Sequence, residues 1–265
     1  MQPDVTDLLD FYGRPLGAMV RRILAHRIRS RWRRVNGSNL VGLGYATPYL
    51  GTFRGDAASI TAMMPWTQGA VVWPSAGPVH TVVVDETNLP LADNSVDHLL
   101  AVHSFEASEN VRGLLREIWR VLKPEGRVLI SVPNRRGVWA RLDRTPFGHG
   151  RPFSQGQLER LLTDAMFTVT DWSAALYIPP VDHRLVLKSA LSAERIGLRV
   201  SRAFAGVILV EARKELIAPV GKVTVSRGIH VLVPNRGTTF EGRTRRKAGA
   251  TSISWSDVRL AQPAT

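Results

Sequence analysis

The chain contains no cysteine. That excludes disulfides, thiol nucleophiles and cysteine metal sites, and makes a reducing, cytoplasmic compartment the expectation. No apolar run approaches the length of about 18 residues that a membrane span requires. The opening Met1-Gln2-Pro3-Asp4-Val5-Thr6-Asp7 has no apolar signal core, so no leader is expected. Neither a catalytic triad nor a metal-ligand pattern is evident. The opening residues 1–13 carry three acids and no base, but acid is scarce just after them and at the far end. Residues 14–34 hold eight arginines and no carboxylate, and residues 221–265 hold eight basic residues against two acids. The net charge of +13 therefore sits at the ends, and the body from 35 to 220 is nearly neutral at +2.

What is present is a body of alternating strand and helix patterns. The 265 residues are 44% hydrophobic, enough for one large α/β domain with extensions. Residues 5–34 read as helix, with Asp4 or Thr6 as cap and a break at Gly13-Arg14-Pro15. Beyond the break Leu16, Val20, Ile23, Leu24 and Ile28 recur at helical spacing. Arg21, Arg22, Arg29, Arg33 and Arg34 lie mostly off that stripe. They form either a face for an anionic surface or nucleic acid, or a solvated edge. Strands are expected at 59–64, 69–74, 81–84, 96–102, 127–132, 167–177 and 203–212. Helices are expected at 109–122, from Ser154 through Leu162, and at 190–196. Beyond about 217 a small hairpin at 221–233 and a mobile basic tail are expected. The proposed segmentation is a basic helical extension at 1–36, a main domain at 37–216 and a basic extension at 217–265. Strands alternating with helices at this spacing indicate a doubly wound, mostly parallel sheet, whose ligands sit at the carboxyl ends of the strands.

The organising stretch is Leu40-Val41-Gly42-Leu43-Gly44-Tyr45-Ala46-Thr47-Pro48, read as a strand, a glycine turn and a helix start. Gly42 and Gly44 would let the backbone turn and approach a ligand. Thr47 is the expected N-cap, with Pro48 at the first helical position.

Together with two later runs this stretch resembles the class I S-adenosylmethionine-dependent methyltransferases of the type 11 group. The first run is Asp85-Glu86-Thr87-Asn88-Leu89-Pro90-Leu91, closing on Val96-Asp97. The second is Leu115-Arg116-Glu117-Ile118-Trp119-Arg120-Val121-Leu122-Lys123-Pro124-Glu125-Gly126. The resemblance covers roughly 38–213. It implies a Rossmann-like seven-stranded sheet with an antiparallel last strand, and S-adenosylmethionine as cofactor. Gly42 and Gly44, with Tyr45 beside them, would pass the methionine part of the cofactor. Met64 would close the second strand near the ribose. Asp85 would accept from the adenine amino group next to Glu86, and His103 and Ser104 would line the floor under the sulfonium.

Two departures stand out. Leu40 takes the place of an acid before the first glycine, and the second strand ends at Met63-Met64-Pro65 without the carboxylate that holds the ribose. Methyl transfer is an in-line displacement that needs alignment more than acid or base. Any proton transfer is assigned to His103, Glu106 or His149. No Asn/Asp-Pro-Pro-Tyr-type run follows the fourth strand; Val102-His103-Ser104-Phe105-Glu106 stands there. This favours a small-molecule or lipid-like acceptor. The alternatives are a nucleic-acid or protein methyltransferase docked through its basic ends, and a non-catalytic binding protein on the same fold. The segment 132–153 mixes arginines with Trp139, Phe147 and Phe153. It is expected to overhang the pocket as a lid, with His149 or Arg151 touching the acceptor.

Overall fold

The computed structural model describes residues 3–184, 186, 189–190, 193–194, 197 and 204–216. The hairpin and tail expected beyond 217 lie outside the described residues, and the helix expected at 190–196 lies partly outside them. The described residues all belong to one compact unit.

The chain opens with helices α1 (Val5–Gly13) and α2 (Pro15–Arg31). The Asp4 carboxylate starts α1, accepting from Thr6 N and Asp7 N, while Asp7 reaches back to the Asp4 N–H. This reciprocal box satisfies donors that a helix start leaves bare. Pro15 has no N–H to give and so begins α2 rather than extending α1. Strand β1 (Asn39–Gly44) follows, then the single turn α3 (Thr47–Leu50), which runs into a 3-10 turn over Gly51–Phe53. Next come β2 (Ser59–Pro65), β3 (Thr81–Val84), β4 (Val96–Val102), α4 (Val111–Val121), β5 (Leu122–Pro133), α5 (Gln155–Asp164), β6 (Phe167–Ala175) and β7 (Val207–Lys214).

The seven strands form one sheet in the order β3-β2-β1-β4-β5-β7-β6. All pairs are parallel except those of β7, which runs antiparallel to both β5 and β6. The sequence order reverses between β1 and β4, and at such a switch point the loops leaving the two strands diverge and open a crevice. Side chains alternate across the sheet as the pleat demands. Leu40, Leu100, Val102 and Leu129 pack under α1, α2 and α3. Val41, Leu43, Leu99, Ala101, Val128 and Ile130 pack under α4 and α5.

Two local expectations are corrected. Thr47 does not cap α3: Ala46 holds the cap position, without a side-chain bond, and Thr47 is the first helical residue. Residues 69–74 form no strand. Val71 N donates to Met64 Sδ and Trp73 N to Thr81 Oγ1, so their backbone has no ladder to join. The connection from β2 to β3 thus spans residues 66–80 without a helix, although a helix is the usual bridge between parallel strands.

Three arginines of α2 are tied to the body; of those the sequence places off the apolar stripe, only Arg29 is among them. Arg29 pairs with Asp56, Arg31 with Asp171, and Arg27 lies 3.7 Å from Glu194. Just past α2, Trp32 Nε1 donates to the buried Glu211 Oε1 at 3.0 Å. Among the described residues, no helix is long and apolar enough to cross a membrane.

Candidate active site at the carboxyl ends of β1 and β4

Gly44, the last residue of β1, stands in register with Val102, the last of β4. Its φ is +74°, a conformation that favours glycine, and a Cβ there would run into the Val102 carbonyl oxygen. Gly42 is not part of the turn. It lies inside β1, paired with Ala62 and Leu100, and its missing Cβ makes room for Leu50 and Ala46. The turn is therefore made by Gly44-Tyr45-Ala46, and the bulky Tyr45 is buried at its centre.

His103 leaves β4 with φ +51°, uncommon for a residue with a side chain. Several bonds hold it there. Gln68 Nε2 donates to its carbonyl at 2.7 Å. Its Nδ1 lies 3.1 Å from Glu106 Oε1, and its Nε2 lies 2.9 Å from the Tyr12 hydroxyl. The Tyr12 hydroxyl is also 2.9 Å from that of Tyr49. With Nδ1–H donating to Glu106, Nε2 would accept from Tyr12 and Tyr12 from Tyr49, one arrangement these distances allow. Burial pushes the Tyr12 phenol well above its ordinary pKa and raises Tyr49 as well, so both stay protonated and able to donate. His103, Glu106 and Tyr12 are all nearly inaccessible, at 1%, 3% and 6% exposure.

The crevice is closed from two sides. From α1, Tyr12 stacks on Tyr45 at 5.5 Å between ring centres, and Val5 N donates to Gln68 O at 2.8 Å. From the segment after β5, the Phe147 ring lies 4.8 Å from that of His103 and 6.1 Å from Phe11. That segment is pinned by Trp139 Nε1 donating to Ile178 O and by Arg151 N donating to Glu106 O. Among the described residues, three buried polar atoms in this cluster have no hydrogen-bond partner: Gln68 Oε1, Ser104 Oγ and Glu106 Oε2. Buried polar atoms are rarely left so, and three together mark a place that a polar ligand or water would complete.

The structure brings Gly44, Tyr45, His103, Ser104 and Glu106 together and leaves the other candidates apart. Met64 is buried, its sulfur accepting from Val71 N at 3.4 Å. Asp85 is exposed and bound within its own turn, accepting from Thr87 N and Oγ1, first of which the hydroxyl holds its pKa below the usual range. Glu86 accepts from Ser108 Oγ at 2.6 Å, and burial raises its pKa. His149 faces a separate cavity of about 320 Å³, shared with Asp7, Asp10, Arg14 and Asp143. Tyr12, Tyr49 and Gln68 were not foreseen. The only trace of Tyr12 was its place with Leu8 and Phe11 on the buried side of α1.

The run around Glu117 and Arg120 proves structural. Glu117 Oε2 accepts from Leu89 N at 2.9 Å, and Arg120 donates to Leu89 O, Leu91 O and Asp93. The pair clamps α4 to the loop between β3 and β4. Among the described residues, no group of histidines and carboxylates could hold a metal ion.

A family model described as a methyltransferase domain matches residues 41–130. No curated protein matches the chain. Among solved structures, the [4+2]-cyclase SpnF superposes with a TM-score of 0.51 at 24% identity, over 74% of this chain and 80% of its own. An S-adenosylmethionine-dependent methyltransferase from Mesorhizobium loti gives 0.51 at 15%, over 71% and 96%. YcgJ from Bacillus subtilis gives 0.52 at 14%, over 72% and 97%. At these identities the likeness establishes the fold, which is the class I methyltransferase fold, strand order included.

Proposed function

We propose that this chain, which carries a methyltransferase domain on the class I fold, is an S-adenosylmethionine-dependent methyltransferase that methylates a hydroxyl of a small-molecule or lipid-like acceptor. The observation that carries the reading is the hydroxyl already held at His103: Tyr12 Oη sits 2.9 Å from Nε2, with Glu106 behind Nδ1. An imidazole oriented by a carboxylate and facing a hydroxyl is the arrangement a general base requires.

The residues present fit the cofactor in part. The unpartnered atoms of Gln68, Ser104 and Glu106 lie at the switch-point crevice, where the fold binds ligands. Gln68, three residues past the end of β2, offers an amide oxygen in place of the absent ribose carboxylate. Gly44 and Tyr45 would supply backbone beside the methionine part, with Glu86 toward the adenosine. When bound, the cofactor supplies a methyl group already activated on sulfur. His103 Nε2 takes the hydroxyl proton, Glu106 keeps Nδ1 protonated, and Phe147 against the imidazole excludes water. Because Tyr12 fills the acceptor's place at His103, α1 has to swing aside before substrate enters.

A second reading, a non-catalytic binding protein, is favoured by one observation: Tyr12 and Tyr45 stack across the crevice and leave its polar floor buried. Calorimetry of the full chain with S-adenosylmethionine separates the two. Binding, followed by transfer of labelled methyl to a phenol or alcohol that His103→Gln abolishes, supports the first. Absence of heat and of any thermal shift at millimolar cofactor rejects it.

A further inference from the structure

Where a crossover helix would ordinarily cover the sheet between β2 and β3, the 66–80 connection leaves a cavity of about 570 Å³. Its walls are aromatic and basic. Tyr12 and Tyr45 form one side, Trp73 another, and Arg21 of α2 and Arg54 past α3 face into it. The Arg54 guanidinium lies 5.0 Å from the Trp73 ring centre. Among the described residues, no Asp or Glu lines the cavity. Arg27, Arg29 and Arg31 of α2 each have a carboxylate partner, whereas among the described residues Arg21 and Arg54 have none.

We infer that this cavity is a binding site for a small planar organic anion, an aromatic ring bearing a carboxylate or phosphate. The anionic group lies between Arg21 and Arg54, whose planar forks suit carboxylate and phosphate oxygens. The ring lies against Trp73 and Tyr45, in the slot the stacked arginine leaves. The volume accommodates one such molecule and its first water shell. Tyr12 is shared between this cavity and the His103 network, so an occupant here borders the hydroxyl-holding group. The site does not depend on methyl transfer: it stands on its own lining, and its test needs no cofactor.

The test is calorimetry of the full chain without cofactor, using phenyl phosphate and benzoate as probes, with benzyl alcohol and inorganic phosphate as controls. Both planar anions should bind, and each control should bind at least about tenfold more weakly, one lacking charge and the other the ring. Arg21→Ala, Arg54→Ala and Trp73→Ala should each weaken phenyl phosphate by about tenfold. Both arginines are exposed, so those two variants should keep the wild-type circular dichroism spectrum and melting temperature. No binding of either planar anion, equal binding of inorganic phosphate, or undiminished binding by the double arginine variant would overturn the inference. Binding that persists in a protein that never takes up S-adenosylmethionine leaves it standing and removes only the methyltransferase reading.

Discussion

Replacing Tyr12 by phenylalanine removes one oxygen and little else. The ring that stacks on Tyr45 and meets Phe11 edge-on is retained. The hydroxyl makes two buried bonds, both at 2.9 Å, to Tyr49 and to His103. Its loss removes both and leaves two enclosed polar groups short of a partner, a cost of roughly 2–4 kcal/mol. For a unit of this size each kcal/mol lowers the melting temperature by about 2–4 °C, so a fall of roughly 4–16 °C is expected. If α1 is the gate, the same change acts oppositely on the cofactor. Bonds lost only from the closed state raise the open population, and 1–2 kcal/mol of that kind tightens the apparent Kd roughly 5–30-fold. Scanning calorimetry and titration with S-adenosylmethionine on one preparation read both numbers. A lower melting temperature with an unchanged or weaker Kd refutes the gate. An unchanged melting temperature refutes the buried network itself.

Other outcomes follow from the same geometry. Gly44→Ala should cost roughly 3 kcal/mol or more in urea melts, since it combines a left-handed φ with a clash against Val102 O, and should abolish cofactor binding with it. Arg120→Ala should cost about 2–4 kcal/mol by the same assay, because Leu89 O and Leu91 O lose their donor and Glu117 its partner, with little effect on ligand affinity once folded. Glu117 is held below the usual carboxylate range, first by Arg120 and then by the Leu89 N–H, against burial. Its contribution is therefore full above the unfolded-state pKa of about 4.3 and is lost as pH falls through its lower folded value. Glu117→Gln should be less stable than wild type at neutral pH and should flatten the loss of stability between about pH 5 and 3; parallel curves would contradict this.

The sheet was legible because its strands are short apolar runs bounded by breakers, and because parallel pairing leaves few orders compatible with the helices between them. The run 115–126 carried the most information, and the reason is now structural. Glu117 and Arg120 bind backbone atoms of the β3–β4 loop, so their spacing is fixed by the distance between helix and loop. The stretch 69–74 misled because Val71, Val72 and Trp73 have strand composition, while the amides of Val71 and Trp73 donate to Met64 Sδ and Thr81 Oγ1 rather than to a neighbouring strand. Composition reports what a pleat would tolerate, and here no open ladder was there to receive it.

The candidate site was legible only where it follows the fold. Gly44, His103 and Ser104 stand at strand ends, so the topology alone brings them to the crevice. Tyr12 precedes His103 by 91 residues, and nothing in the local pattern says that its hydroxyl meets the imidazole rather than solvent. The missing carboxylates of the cofactor motifs point the same way. Leu40 is buried in the core beneath α1–α3, and β2 ends in buried methionines beneath that layer and against the opposite core. The positions where an acid would meet a sugar have become packing positions for the helices that cover them. Under the proposed function the polar demand falls on Gln68, Ser104 and Glu106, each with an atom that has no partner among the described residues. Among the described residues, buried polar atoms without a hydrogen-bond partner also occur away from this layer, at His98, Trp119 and Ser131. Bare atoms alone therefore do not distinguish a static cover from one that lifts to admit a ligand; Tyr12→Phe is the substitution that tells these apart.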